Sequence, residues 1–143
     1  MTPDMLAMAL EGRDREMSAV AYQMAMVARS FLSAYHEDRH DTAYYLKPDG
    51  FYGRDSLLDA AAETRSQLVK WWEEDGQDDP LDRVVPTYRG HAKLHEIPER
   101  EVWHTTQHVR QIQLVLERRG VAPDGPMTAA DLEGLPLPER VHG

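Results

Sequence analysis

With 143 residues, 41% of them hydrophobic, the chain is expected to form one domain, residues 1–143, with a core of its own, and no apolar run is long enough to cross a membrane. A formal charge of −9 argues against nucleic acid as partner, because phosphate binding needs clustered Lys and Arg; the spread acidity suits solubility in the cytoplasm. With no cysteine, disulfides, thiolate zinc sites and thiol nucleophiles are excluded, leaving histidine, carboxylate and amide groups as metal ligands.

The N-terminus, MTPDMLAMALEGRDRE, lacks a basic n-region and is broken by acids and Gly12, so it does not read as a secretory signal. Met17, Val20, Met24, Val27, Phe31 and Tyr35 recur at steps of three and four, which predicts a helix from about 14 to about 38. Residues 38–54 hold Pro48-Asp49-Gly50 and Gly53 and read as a loop. Its aromatic residues Tyr44, Tyr45, Phe51 and Tyr52 either roof a pocket or anchor the loop itself. A second helix carries Leu57, Leu58, Ala61, Ala62, Leu68, Val69 and Trp72 on one stripe, with Asp55 or Ser56 as its cap. By that count Trp72 is core and Trp71 more exposed. Residues 75–98 carry three prolines and read as a long loop with at most a minor strand at Arg83-Val84-Val85. A third helix holds Val102, Val109, Ile112 and Leu116 and stops at Gly120. The tail from Val121 is rich in Pro and Gly, with one helical turn at Thr128–Glu133. The pattern points to an all-α helical bundle.

Six of the seven histidines pair at a spacing of four: His36/His40, His91/His95 and His104/His108. On a helix such residues share a face and can share a metal ion. His36-Glu37-Asp38-Arg39-His40 matches the zinc-protease pattern H-E-x-x-H, but its context is a charged helix end rather than a buried face. His91 and His95 lie in the connection before the last helix, where helical geometry is not assured; His95 reads as a supporting group or a contact at the helix start. His104 and His108 lie at the edge of the last helix's apolar stripe and face a neighbouring helix. Spacing leaves two readings open for them: a metal or catalytic pair, or imidazoles hydrogen-bonded at a helix interface. Arg110 and Gln111 either orient His108, bind an anionic substrate, or lie on a solvated face.

The block from Thr87 to Ile112, with Glu99-Arg100-Glu101-Val102-Trp103-His104-Thr105-Thr106-Gln107-His108-Val109-Arg110-Gln111 at its centre, resembles the last-helix signature of the DinB/YfiT-like superfamily. The tail Asp131-Leu132-Glu133-Gly134-Leu135-Pro136-Leu137-Pro138-Glu139 and the blocks Gly12-Arg13-Asp14-Arg15 and Phe31-Leu32 resemble the same branch. This resemblance implies a four-helix bundle with a divalent metal, Zn or Ni, held by one side chain on the second helix and the HxxxH of the last. It also implies thiol S-transfer with a low-molecular-weight thiol, isomerisation or cyclisation, or hydrolysis of a small-molecule substrate. His104 and His108 would be the catalytic and metal-binding histidines, and the family alignment puts Gln23 where relatives carry the third histidine. Counted along a continuous helix, His36 and His40 fall roughly 20 Å from Gln23, too far to replace it. His95, Arg110, Gln111 and Tyr52 are the supporting or substrate-binding candidates. The alternative is a non-catalytic binding subunit that has lost a metal ligand. The first helix is short, which predicts an exposed apolar groove covered by a second copy in a homodimer; the Met-rich start suits such an interface, and the alternative is that the short helix and the tail cover the groove.

Overall fold

The computed structural model describes residues 1–9, 15–49, 53–138 and 141. Its elements run in the order α1 (Pro3–Leu6), α2 (Met17–Glu37), α3 (Gly53–Trp71), β1 (Val84–Thr87), β2 (Gly90–Lys93) and α4 (Glu96–Arg118). Single 3₁₀ turns form at Thr42–Tyr45 and Ala130–Leu132, and a π turn extends α3 over Trp72–Gly76. The chain is mostly helical, yet an all-α description needs correction because β1 and β2 pair as an antiparallel hairpin. Alternation explains it: Val85 is fully buried while Val84 and Pro86 are exposed, as on a half-buried strand. Gly12, Arg13, Asp14, Phe51, Tyr52 and Glu139 lie outside the described residues.

α2 is the central helix. Its first half packs with Met5, Leu6, Leu57, Ile112 and Leu116 in one apolar cluster. Its second half packs with Trp71, Val85, Leu94 and Ile97 in another. Positions therefore rise together along α2 and α3. Thr64 lies against Met26, Arg29 pairs with Glu63 at 2.7 Å, and Phe31 meets Trp71 edge to face at 4.8 Å between ring centres. α2 and α3 are parallel, and α4 runs antiparallel to α2. Parallel neighbours need a connection that returns the full helix length, about 31 Å for α2. Residues 38–49 run back along it, and Lys47 reaches Glu16 and Ser18 at the far end.

The predicted stripe of α3 is rotated in the structure. Leu57, Thr64 and Trp71, seven apart, are its buried residues, whereas Leu58, Val69 and Trp72 are exposed. Trp71 rather than Trp72 is the core residue. The α-helix ends at Trp71, and in the π turn that follows Gly76 fits against the Trp71 ring, where a Cβ would stand only 2.8 Å from the ring atoms. α3 and α4 both pack on α2 but hardly touch each other. Between them lies an apolar groove of about 530 Å³, lined among others by Phe31, Leu68, Val69, Trp72 and Val102. Val102, expected in the core stripe, is exposed on this groove.

Candidate functional site

Between the two apolar clusters the contact of α2 with α4 is polar. Gln23 and Ser30 on α2, and Glu101, His108 and Gln111 on α4, are all buried. The spacing makes this so. Gln23 and Ser30 are seven apart, as are Glu101 and His108, so each pair keeps one face.

His40 joins this layer, against the expectation that it lies far from Gln23. The expectation assumed an uninterrupted helix. Instead α2 stops at Glu37, and Asp38 takes the left-handed conformation, φ 53°, which Asp tolerates better than most residues. Arg83 clamps this end by pairing with Asp38 and donating to the Tyr35 carbonyl, a use of a cation that suits a helix C-terminus. The chain then folds back along α2. Ser33 Oγ accepts the Asp41 N–H at 3.2 Å and contacts the Arg39 carbonyl oxygen at 2.8 Å.

His40 thus arrives beside Ser30, with its side chain only 6% exposed. His40 Nε2 lies 3.2 Å from Ser30 Oγ, 3.0 Å from Tyr45 Oη and 3.6 Å from Glu101 Oε1. Ser30 Oγ donates to Glu101 Oε1 at 2.5 Å, and Tyr45 Oη stands 3.5 Å from the same oxygen. Burial pushes the Glu101 carboxyl above its usual range; hydrogen bonds from His40, Ser30 and Tyr45 oppose that rise without cancelling it. Burial also pushes the Tyr45 phenol up to about 12.

These groups line one cavity of about 300 Å³. Gln23, His40, Glu101 and Ile97 form its floor by burial, with His104 and Tyr45 half-buried beside them. The hairpin covers it. Gly90, with φ 114°, lets a two-residue turn place Tyr88 and Arg89 over the site, and the Tyr88 and His40 rings lie 5.7 Å apart. Arg100 completes the exposed rim.

The chain has no match among protein-family models, curated proteins or solved structures.

The other candidates fall as follows. His108 is 2% exposed, and its Nδ1 lies 2.8 Å from Gln111 Oε1. An amide oxygen only accepts, so Nδ1 carries the proton and Nε2 the lone pair of the neutral ring. Gln111 is therefore the residue that orients His108. The His104 and His108 rings stand 4.5 Å apart. Two imidazoles on one Zn at the usual bond length have centres roughly 4.5–5.2 Å apart, and the same spacing suits two rings in direct contact. Gln23 Oε1 is buried and has no hydrogen-bond partner among the described residues, as suits a third donor, although an amide is a weaker ligand than imidazole. No group of three His, Asp or Glu among the described residues forms a metal-binding cluster; the candidate set is two imidazoles and an amide. Arg110 donates to the Pro138 carbonyl and holds the tail against α4, rather than entering the cavity. His95 precedes α4, pairs with Glu99 at 3.1 Å, and lines an outer cleft that meets this cavity at Arg89 and Arg100. His36 and His91 are exposed. Tyr52 lies outside the described residues.

Sequence reasoning missed Glu101, Tyr45's role and the return of His40. Two signals were present. Ser30 and Ser33 interrupt an apolar helix face where only a polar partner would suit them, and Glu101 sits three and seven residues before the histidine pair on the same face.

Proposed function

We propose that the protein is a small DinB-like enzyme of the cytoplasm, using the cavity between α2 and α4 on a small-molecule substrate. The reaction class is thiol S-transfer, isomerisation or hydrolysis. The observation that supports this best is the convergence of Gln23 and His104 on one cavity, with the unpartnered Gln23 oxygen on its floor. A divalent ion, Zn or Ni, would be held by His104, His108 and Gln23, and when bound it would lower the pKa of a thiol or water. The chain's own groups do the rest. Gln111 fixes the His108 tautomer, Tyr88 stands over His40 at the cavity mouth, and His40, backed by Glu101, supplies an imidazole as proton donor or acceptor. Two copies pair across the α3–α4 groove in this reading.

Protein purified without a His tag is expected to carry about one divalent ion per chain. His104→Ala should remove it, and adding Zn or Ni to stripped wild type should raise Tm, because a native-state ligand must stabilise. No metal and no Tm response would support the second reading, a binding subunit without catalysis, which the weak amide donor at Gln23 favours.

A further inference from the structure

We propose that this cavity binds a small organic carboxylate bearing a hydroxyl or amine, with the carboxylate held by Arg89 and Arg100 at the rim and the O–H or N–H meeting the His40, Tyr45 and Glu101 network on the floor. The proposal deepens the small-molecule reading of the same site and rests on it.

Charge selects the first half of the ligand. The chain as a whole is strongly acidic, with 25 Asp and Glu against 16 Lys and Arg. Yet two arginines line the mouth of this cavity, on the ridge it shares with the outer cleft that holds Glu96 and Glu99, and among the described residues neither forms an ion pair with those or other acids. The one carboxylate in the cavity lining is Glu101, and its Oε1 is already engaged by Ser30, Tyr45 and His40. The rim therefore offers guanidinium groups with no internal acid to take them up. Such groups match a carboxylate in shape as well as charge. Arg89 is held in place by the hairpin: Thr87 Oγ1 accepts the Arg89 N–H at 3.2 Å, and the guanidinium lies 5.5 Å from the Tyr88 ring centre. Arg100 projects from α4 one residue before Glu101, so the rim and the floor are tied to the same helix.

The floor selects the second half. His40 Nε2 faces Tyr45, Ser30 and Glu101. That network ends on the Glu101 carboxyl, whose Oε1 takes hydrogen bonds from Ser30 and Tyr45, so the floor is rich in acceptors. Nδ1 is buried and has no hydrogen-bond partner among the described residues. A buried polar atom without a partner costs about 1–3 kcal/mol, which favours a ligand that brings a polar group to this floor. A ligand meeting both ends is anionic on one side and carries O–H or N–H on the other.

The test uses the full chain stripped of metal with chelator, and calorimetric titration with L-lactate and L-malate. Their deoxy analogues propionate and succinate and their neutral amides lactamide and malamide serve as comparisons. At least one hydroxy acid is expected to bind at about 10 mM, a concentration that fills even a weak millimolar site. Its deoxy analogue should bind more weakly, and its amide should not bind. Replacing both rim residues, Arg89→Gln with Arg100→Gln, should weaken the hydroxy acid about tenfold or more, as loss of charge-assisted bonds does, with Tm unchanged because both side chains are exposed. His40→Phe should erase the preference for the hydroxyl while sparing the carboxylate. If His40→Phe does not fold, the arginine pair alone decides. Binding of the amide as tightly as the acid, no binding of either acid, or an undiminished double variant overturns the proposal. A parallel zinc titration separates the two readings. Hydroxy-acid binding without zinc uptake removes the metalloenzyme and leaves this inference. Zinc uptake lost on His104→Ala, without hydroxy-acid binding, does the reverse.

Discussion

Glu101 is a carboxylic acid enclosed between two helices, and its environment has a consequence for stability. Its folded-state pKa lies above the ordinary 4.5 because burial disfavours the anion more than His40, Ser30 and Tyr45 favour it. A carboxyl raised in the folded state contributes its stability fully below the unfolded pKa and loses it as pH climbs through the folded value. Compared with Glu101→Gln, which does not titrate, wild type should therefore lose ground as pH rises from about 4.5 through that window, by up to about 1.4 kcal/mol per pH unit. Urea denaturation of both proteins at closely spaced pH values would read this; a constant gap between them would contradict the assignment. The residue also shows where sequence reading stops. A glutamate three before one histidine and seven before another has a legible face. What it meets on that face depended on His40, and His40 depended on a chain reversal that composition around residues 36–41 hides, because the same charged residues suit a frayed end.

At the scale of elements, the three long helices were legible to within a few residues, since the 3.6-residue period comes from burying one face and needs no knowledge of the partner. Their rotation and order were less legible. In α3 the alanines and small polar residues let the buried stripe slip from Trp72 to Trp71, and the deciding contact, Gly76 under the Trp71 ring, lies beyond the periodic segment. Gly76→Ala is accordingly expected to cost about 1–3 kcal/mol by overpacking, and Trp71→Ala about 3–5 kcal/mol, both measured by equilibrium unfolding. An equal replacement at exposed Trp72 should cost much less. Finding Trp72→Ala the more damaging change would restore the stripe read from the sequence. The hairpin was visible only as a β-like run at residues 83–85, because Ala92 and Lys93 carry no strand signal of their own; pairing with β1 and the burial of Leu94 define the second strand.

For the whole molecule, the open side between α3 and α4 is the largest question for association. Trp72 and Val102 are 51% and 55% exposed on either wall of one groove, an arrangement that monomers avoid when the patch is large. α1 was expected to be too short to close the bundle. Its Met5 and Leu6 do bury against the first apolar cluster, but the groove lies beside the second. Under the dimer reading, sedimentation at micromolar concentration should give twice the chain mass, and Val102→Glu should give a monomer with unchanged helicity. A monomeric wild type would remove the dimer and leave the cavity untouched, since Val102 does not line it.

The parallel course of α2 and α3 carries one more implication, for kinetics. Each contact between them joins positions more than thirty apart, as Met26 with Thr64 and Arg29 with Glu63 do, and the crossover must be threaded back before any of them forms. Proteins rich in such distant pairings cross their folding barrier more slowly than up-and-down bundles of equal size. Because His40 rides on the crossover and Arg89 on the hairpin, a chain with its helices formed but these two connections undocked would be helical by circular dichroism and yet lack the pocket's His40 and Arg89.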